Sequence, residues 1–276
     1  MTGEELPLAG CRIGITADRR WSDQAALLTK RGAEVVHGPT MRTVDLSGEQ
    51  RLRRVTEELV ERPPDHLVVT TGMGLRMWLE AASTWGLDGP LKAALTTTMI
   101  SARGAKSASA VRGAGLELWW RAPGETMEEV VDHLAAAGPP QPRVAVQLFD
   151  PEAHRSTRAL AALAGELVEV PVYRWLLPDD VGPARRLIEA ALRGHLDAVT
   201  FTSQPAVRNL VRIGSDAGVR DELLAALNDG VVPACVGPVC AEAAVEEGIH
   251  HPLWPDPPRL PAMVRQLTDH LTARSR

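Results

Sequence analysis

The sequence contains a single tyrosine, Tyr173, and this residue is the first candidate for chemistry. It lies in the segment VPVYR at 170–174, directly after a short run typical of a β-strand. A phenol stays protonated at neutral pH, so it is a suitable general acid where a leaving hydroxyl group needs a proton. A purely structural role is the alternative for a lone tyrosine. Tyr173 is therefore one candidate acid, and the residues around it decide between the two roles.

A second group of candidates consists of hydroxyl residues and glycines that follow predicted strands and precede predicted helices. They are Thr71, Gly72, Gly104, Ser107, Thr202, Ser203, Gly237 and Pro238. In open parallel sheets ligands bind beyond the carboxyl ends of strands, where free amides at helix N-termini attract anions. The pattern predicts anion-binding junctions, at which Gly237 lets a ligand approach the backbone. Helix caps and tight turns are the structural alternative.

Basic residues near these junctions suit a ligand that carries several carboxylates. The candidate for the binding site is Arg19, and Arg20, Arg76, Arg103 and Arg208 lie in comparable positions. Most surface arginines are simply solvated, which is the alternative for each of them.

Other catalytic classes find little support in the sequence. There is no P-loop and no complete G-x-G-x-x-G, no G-x-S-x-G nucleophile elbow and no H-E-x-x-H metal motif. The three cysteines Cys11, Cys235 and Cys240 have no second pair or nearby histidine for a zinc site, so structural thiols are expected. We therefore expect neither a metal nor a bound nucleotide.

Short apolar runs alternate with helical stretches along the chain. The predicted strands are 12–16, 34–36, 66–70, 99–101, 117–120, 143–146, 168–170, 198–201 and 232–235, and the predicted helices include 22–31, 48–61, 126–137, 155–164, 183–193 and 260–274. The strands are apolar almost throughout, as expected when helices cover both faces of a parallel sheet. The alternation predicts an α/β fold.

The two halves of the chain repeat one another. The segment 65–71 (DHLVVTT) aligns with 197–203 (DAVTFTS), GAKSA at 104–108 aligns with GPVCA at 237–241, and RIGI at 12–15 aligns with RVAV at 143–146. Segments that recur in the same order indicate duplicated structural units. We therefore expect two homologous α/β domains, with a ligand cleft between them because pockets favour domain interfaces.

Composition narrows the class of partner. The 276 residues include 30 basic and 35 acidic ones, giving a net charge of −5 that disfavours non-specific binding to nucleic acid. No stretch approaches the roughly 18 consecutive apolar residues of a membrane span, and the acidic start does not look like a signal peptide. A cytoplasmic protein with no membrane partner is expected.

The ordered set of motifs resembles the uroporphyrinogen-III synthase family along nearly the whole chain. The resemblance rests on DAVTFTS at 197–203, VGP at 236–238 before a small-residue helix, VPVYR at 170–174 and the closing helix that begins PRL at 258–260. It implies two flavodoxin-like parallel-sheet domains joined by a two-stranded connector. Residues 1–38 and 175–276 would form one discontinuous domain, and residues 43–170 the inserted homologous domain.

The family closes hydroxymethylbilane into uroporphyrinogen III, with inversion of ring D and loss of water, in tetrapyrrole biosynthesis. The resemblance implies a cofactor-free monomer in which Tyr173 assists loss of the substrate's hydroxyl group. Thr202, Ser203 and the amides near Gly237 and Gly104 would hold the acetate and propionate groups, and Ser107 stands where a threonine is common.

Two segments depart from the family pattern. The inserted domain reads VTTGM at 69–73 in place of F-T-S-x-N or F-T-S-P-R, and the hydroxyl residues after I-G-P are replaced by Val239 and Cys240. These losses favour one alternative, a non-catalytic synthase-like module that binds a ligand and regulates transcription. Residues 272–276 leave no room for a winged helix, so nucleic-acid binding would need a DNA-binding domain outside this sequence. An unrelated two-domain α/β binding protein is a third possibility.

Overall fold

The computed structural model describes residues 6–148 and 154–274. Strands and helices alternate along the chain. The first elements are β1 (Arg12–Ile15), α1 (Trp21–Thr29), β2 (Glu34–His37), β3 (Arg42–Asp45), α2 (Gln50–Glu61), β4 (His66–Val69), α3 (Gly72–Thr84), α4 (Asp88–Leu95), β5 (Met99–Ala102), α5 (Ala105–Gly113), β6 (Trp120–Arg121) and α6 (Met127–Ala137). They are followed by β7 (Arg143–Leu148), α7 (His154–Leu163), β8 (Glu166–Pro171), β9 (Tyr173–Leu176), α8 (Gly182–Leu192), β10 (Ala198–Phe201), α9 (Gln204–Asp216), α10 (Arg220–Asp229), β11 (Val232–Cys235), α11 (Pro238–Glu246) and α12 (Leu260–Arg274).

The chain divides into two compact units. Unit 1 comprises Met1–Thr43 and Leu176–Arg276, and unit 2 comprises Val44–Trp175. These bounds differ by a few residues from the predicted domains, which are 1–38 with 175–276 and 43–170. A two-stranded sheet of β3 and β9 contains both points at which the chain passes from one unit to the other.

Unit 1 is built on a parallel sheet with the strand order β11-β10-β1-β2. Every residue of β10 and β11 is buried, because helices pack on both faces of the sheet. Leu28 of α1 and Leu267 of α12 pack with Ile13 in one core cluster.

Unit 2 is built on a five-stranded parallel sheet with the order β6-β5-β4-β7-β8. Its core centres on Trp78, which is fully buried and donates its indole N–H to Thr56 Oγ1 at 2.8 Å. That bond satisfies the one polar atom of a large apolar side chain. The α/β class with parallel sheets, predicted from the alternation of elements, is confirmed.

The strand orders explain how the internal repeat is used. In each unit two strands from one repeat pair with strands from the other: β1 and β2 join β10 and β11, whereas β7 and β8 join β4, β5 and β6. Numbered along the chain within each unit, unit 1 has the flavodoxin order 2-1-3-4, whereas unit 2 has the order 3-2-1-4-5. The order of unit 2 becomes 2-1-3-4-5 when β7 and β8 are counted first, as the repeat aligns them with β1 and β2. The points at which strand order reverses therefore lie between β1 and β10 and between β4 and β7, where open α/β sheets bind ligands.

The repeated aspartate of each half joins the two central strands. Asp197 accepts a hydrogen bond from the backbone N–H of Arg12 at 2.7 Å, and Asp65 accepts one from the N–H of Arg143 at 2.7 Å. Each carboxylate thus satisfies the first amide of the neighbouring strand, a group that would otherwise lack a partner in the ladder. The motif aspartate at 197 consequently has a structural function.

The strand expected at 117–120 is the clearest error in the predicted elements. The structure has only β6, Trp120–Arg121, at this place. Trp119 still donates its N–H to the carbonyl of Ile100 at 2.9 Å, but the residues before it are not part of the ladder. Apolar composition alone overestimates the length of β6, which is an edge strand of the sheet and pairs with β5.

Within residues 6–148 and 154–274, no helix combines the length and apolar character needed to span a membrane.

Candidate functional site

Tyr173 is the first residue of β9 and its side chain is almost completely buried, with 1% exposure. Its hydroxyl lies 2.9 Å from Thr71 Oγ1, and either oxygen can be the donor. Two residues selected independently from the sequence, 102 positions apart, are thus in direct contact. The geometry gives the phenol a defined hydrogen-bond partner.

Thr71 is the second residue after β4 and the N-cap of α3. Its extended backbone lets Oγ1 accept a hydrogen bond from the N–H of Gly74 at 3.1 Å, which is ordinary N-cap geometry. The preceding residue, Thr70, donates its hydroxyl to the carbonyl of Gln147 at 2.8 Å. These bonds hold the end of β4 against the end of β7, at the strand-order reversal of unit 2.

Gln147 was missed in the sequence, although it belongs to the same cluster. Its side chain is 1% exposed and its carboxamide lies against Thr71, with Nε2 3.3 Å from Thr71 Oγ1. No local motif marks a glutamine near the end of an apolar strand. Its alignment with Thr16 in the repeat, at the end of β1, could have drawn attention to it.

Glycines in the first turn of α3 make room for this cluster. A Cβ at Gly74 would lie 1.4 Å from Gln147 Nε2 and 3.0 Å from Tyr173 Cε1. A Cβ at Gly72 would lie 2.2 Å from the carbonyl oxygen of Lys106 in α5. In this structure Gly72 therefore permits helix packing, whereas Gly74 permits the approach of Gln147 and Tyr173 to the helix end.

The junction at Gly104 is satisfied by the chain itself. Gly104 is the N-cap of α5; its N–H donates to Ser107 Oγ at 3.0 Å, and Ser107 Oγ donates its proton to the Gly104 carbonyl at 2.9 Å. The next amide, of Ala105, donates to a carboxylate oxygen of Glu125 at 2.9 Å. Ser107 is 2% exposed, so its hydroxyl stabilises the helix end and its proton is already used.

Arg103, directly after β5, is a cation that interacts electrostatically with the phenol. Burial lowers the pKa of its guanidinium, while the negative charges available to Tyr173 and Glu125 act in the opposite direction. An arginine retains its charge under such conditions. The result is a half-buried cation beside Tyr173.

The junctions of unit 1 follow β1, β10 and β11 of one sheet. Ser203 is the N-cap of α9, and its hydroxyl makes a 3.4 Å contact with the sulfur of Met41 instead of capping the helix. Thr202 precedes it, half-buried, and Arg19 lies exposed in the loop after β1, the strand next to β10. These three residues are therefore on adjacent strand ends.

Gly237 and Pro238 begin α11 in the same sheet, but the space beside Gly237 is occupied. Gly237 is the N-cap, and a Cβ on it would lie 2.6 Å from Cβ of Pro258. The sequence predicted that a ligand approaches this glycine, but in the structure Pro258 of the same unit occupies the space beside it.

The cysteines are free thiols. Cys240 lies 3.7 Å from the carbonyl oxygen of Phe201, and hydrogen bonding to Cys240 together with burial raises the pKa of Cys235. Such thiols are unreactive. Among the described residues no group of three or more histidine, cysteine or carboxylate side chains could hold a metal ion.

The fold and this site define a class: two-unit α/β proteins with parallel sheets and an internal repeat whose strands are exchanged. The chain belongs to the uroporphyrinogen-III synthase HemD family, whose model matches residues 22–265. Membership places it among the lyase-type cyclases of tetrapyrrole biosynthesis.

Solved structures of Thermus thermophilus uroporphyrinogen III synthase resemble the chain over almost its whole length. A mutant form of that enzyme is 29% identical, with 96% of this chain and 100% of that chain covered and a TM-score of 0.79. The wild-type form has 29% identity, the same coverage and a TM-score of 0.65.

Two sequence relatives extend the comparison. The uncharacterized protein YjjA of Bacillus subtilis is 26% identical over 263 residues, covering 95% of this chain and 97% of its own. A putative uroporphyrinogen-III synthase of Methanothermobacter thermautotrophicus is 40% identical over 92 residues, which is 33% of this chain and 35% of its own. The family and structural matches support the synthase over the regulatory alternative.

Proposed function

We propose that this protein is an active uroporphyrinogen-III synthase, which converts hydroxymethylbilane into uroporphyrinogen III with inversion of ring D and loss of water. The observation that carries the proposal is the Tyr173 phenol, held by Thr71 at the strand-order reversal of unit 2. Within the synthase family this is the group suited to the first chemical step.

The first step is loss of the substrate's hydroxyl group. Tyr173 donates its proton to the hydroxyl oxygen of the bilane, the C–O bond breaks, water leaves and the pyrrole electrons stabilise the cationic carbon. Because Tyr173 is 1% exposed, the step also requires a rearrangement that brings the hydroxymethyl group against the phenol. The half-buried Arg103 stabilises the negative charge left on the phenolate oxygen.

The later steps rearrange carbon–carbon bonds. The electrophilic carbon is attacked by ring D to give a spiro intermediate, which fragments and recloses with ring D inverted. A ring carbon then loses a proton, which restores the phenol directly or through water, so that one water molecule is lost overall. Holding the folded bilane in one conformation supplies much of the rate. These steps need acid–base groups only, and we propose that the enzyme uses no cofactor.

The substrate's carboxylates need cationic or N–H donors. In unit 1 we propose Arg19, Thr202, Ser203 and the backbone N–H groups of Gly237 and Val239, on either side of Pro238, for this purpose. The weak sulfur contact of Ser203 can be exchanged for a charge-assisted bond to a carboxylate.

Unit 2 would contribute differently from the sequence expectation. The hydroxyl protons of Thr71 and Ser107 are engaged within the unit, so these residues act by shaping the junctions. The amides beside Gly72 and Gly104 remain candidates for carboxylate binding, in the second case with displacement of Glu125 from the N–H of Ala105.

The decisive experiment is a product analysis. Purified protein is incubated with hydroxymethylbilane generated in situ, the products are oxidised, and uroporphyrins I and III are separated by chromatography. Abundant isomer III supports the synthase, whereas isomer I alone, the spontaneous product, contradicts it and restores the ligand-binding alternative. Gel filtration of the same sample tests the proposed monomer.

The assigned acid has its own test. Tyr173→Phe removes one hydroxyl and should lower kcat by about a hundredfold or more, as loss of a general acid does. Tyr173 is buried in a core, so the unfolding transition is recorded alongside to show that the variant is folded. Unchanged turnover would exclude Tyr173 as the acid without affecting the family assignment.

A further inference from the structure

The hydrogen bonds around Thr71 determine in which direction Tyr173 shares its proton. Thr71 Oγ1 can donate one proton and accept two hydrogen bonds. Gly74 N–H, 3.1 Å away, always occupies one acceptor position because a backbone amide can only donate. The remaining acceptor position and the proton are divided between Tyr173 and Gln147.

The carboxamide of Gln147 has two orientations, related by exchange of its nitrogen and oxygen. In one, Nε2 donates to Thr71 Oγ1 at 3.3 Å and the oxygen accepts from Thr71 N–H at 3.4 Å. In the other, the nitrogen donates to the Thr71 carbonyl oxygen at 3.1 Å, and the oxygen accepts from Thr71 Oγ1 at 3.3 Å and from Leu75 N–H at 3.2 Å.

Each orientation imposes a different direction on the bond between Thr71 and Tyr173. When Nε2 donates to Thr71 Oγ1, both acceptor positions are filled, so Thr71 must donate to the phenol oxygen and the phenolic proton is available to another group. When the amide oxygen accepts from Thr71 Oγ1, the threonine proton is used and Tyr173 must donate to Thr71. The second arrangement withholds the proton that the proposed acid has to transfer.

We propose that Gln147 is a positioning residue that sets this direction, and that the orientation with Nε2 on Thr71 Oγ1 is the one that acts in turnover. This inference rests on the proposed function. In that orientation Thr71 donates to the phenol oxygen, which also stabilises the phenolate formed when the proton passes to the leaving hydroxyl. The other orientation makes three hydrogen bonds where the first makes two, and it corresponds to the resting arrangement.

The surroundings of Gln147 hold its carboxamide in one place. Its side chain is 1% exposed and lies in the space that the absent Cβ of Gly74 leaves, 1.4 Å from where that atom would be. Both orientations keep the carboxamide in the same place and change only which atom faces Thr71.

Two substitutions of Gln147 distinguish the proposed positioning role from a purely structural one. Gln147→Glu places a carboxylate, which can only accept, against Thr71 Oγ1 and forces Tyr173 to donate to Thr71. Gln147→Met removes both hydrogen bonds at similar size and leaves Thr71 free to donate to Tyr173. We expect kcat to fall about tenfold or more in Gln147→Glu, because the hydrogen bond from Tyr173 to Thr71 must break before the proton is transferred. In Gln147→Met we expect kcat to stay within about threefold of wild type. If Gln147 only filled space and capped α3, the isosteric glutamate would retain more activity than methionine.

A pH profile gives a readout that a structural role would not change. When the carboxyl group introduced by Gln147→Glu is protonated, it can donate to Thr71 Oγ1 as the amide nitrogen does. The ratio of variant to wild-type kcat should therefore rise as the pH is lowered. Parallel profiles for the two proteins would overturn the proposal. KM should be unchanged throughout, because the proposed role of Gln147 is exerted through its hydrogen bond with Thr71.

The dependence on Tyr173 is tested in the Tyr173→Phe background. With no phenolic proton to direct, Gln147→Glu should lower kcat no further, whereas independent effects that multiply would overturn the proposal. If Gln147→Glu does not fold at neutral pH, Gln147→Met alone decides: a loss as large as that of Tyr173→Phe contradicts the inference. Wild-type protein that yields only isomer I signals failure of the proposed function itself, a separate outcome.

Discussion

A buried histidine makes the stability of unit 2 depend on pH. His66, the first residue of β4, is 0% exposed, and neither ring nitrogen has a hydrogen-bond partner in the part of the chain that the structure describes. The indole of Trp119 packs edge-on against it, 5.2 Å between ring centroids. Burial, and to a smaller extent the charge of His133, lowers the pKa of His66 from 6.5 to about 4.

The sign of the effect follows from proton binding in the two states. Between pH 6.5 and pH 4 the unfolded chain binds a proton at His66 and the folded protein does not, so protons stabilise the unfolded state. The contribution of a neutral His66 is complete above this range and is lost as the pH falls through it. A pKa unit is worth about 1.36 kcal/mol, so the loss reaches about 3 kcal/mol by pH 4 and about 2 kcal/mol between pH 7 and pH 5.

Urea unfolding at about pH 7 and pH 5 measures this loss. Most of the tryptophans lie in unit 2, so their fluorescence follows the relevant transition. His66→Leu removes the titrating ring and its two unpartnered nitrogens. Between pH 7 and pH 5 the free energy of unfolding of this variant should therefore fall by about 2 kcal/mol less than that of the wild type. The exposed His195 provides the matched control, because His195→Leu should follow the wild type. Equal losses in wild type and His66→Leu would refute the argument.

Three further predictions concern the junctions. Ser107→Ala removes the hydroxyl that accepts from the N–H of Gly104, the N-cap of α5, and should cost about 1 kcal/mol of unfolding free energy with little change in KM. A raised KM at unchanged stability would return Ser107 to the substrate site. Gly237→Ala places a Cβ against Pro258 and should lower the free energy of unfolding by about 1–3 kcal/mol, measured by thermal unfolding. The control Gly48→Ala adds a Cβ with nothing within 4 Å and should be near neutral, so equal Tm values would show that Pro258 moves aside. Asp197→Ala leaves the first N–H of β1 unpaired and should cost about 1–3 kcal/mol, so an unchanged urea midpoint would contradict its structural function.

Local patterns in the sequence predicted much of the architecture. Apolar four-residue runs such as His66–Val69 and Ala198–Phe201 became fully buried strands, because a strand covered on both faces needs apolar side chains throughout. The predicted closing helix coincides with Leu260–Arg274. The short strand at Trp120–Arg121 was overestimated because its length depends on its partner in the sheet and not on its own composition.

The candidate site was only partly accessible from the sequence. Tyr173 and Thr71 were selected for their chemistry, and the structure places their hydroxyls in contact. Their roles as acid and as binding residue remain predictions. The engagement of the Ser107 hydroxyl with Gly104 and the filling of the space beside Gly237 could not be foreseen, since each depends on which atoms lie within a few ångströms in three dimensions.

The sequence by itself determined the class of the fold, the duplication of its units and the family. The alternation of apolar runs and helical stretches indicates the fold class, the repeated segments indicate the duplication, and the ordered motifs indicate the family. Tertiary structure alone decided which residues share a site. Gln147 and Thr71 are 76 positions apart and meet because β7 inserts beside β4, a pairing made by backbone hydrogen bonds between strands of different repeats. Such a contact leaves no local pattern, since strand pairing is selected by the packing of the whole sheet.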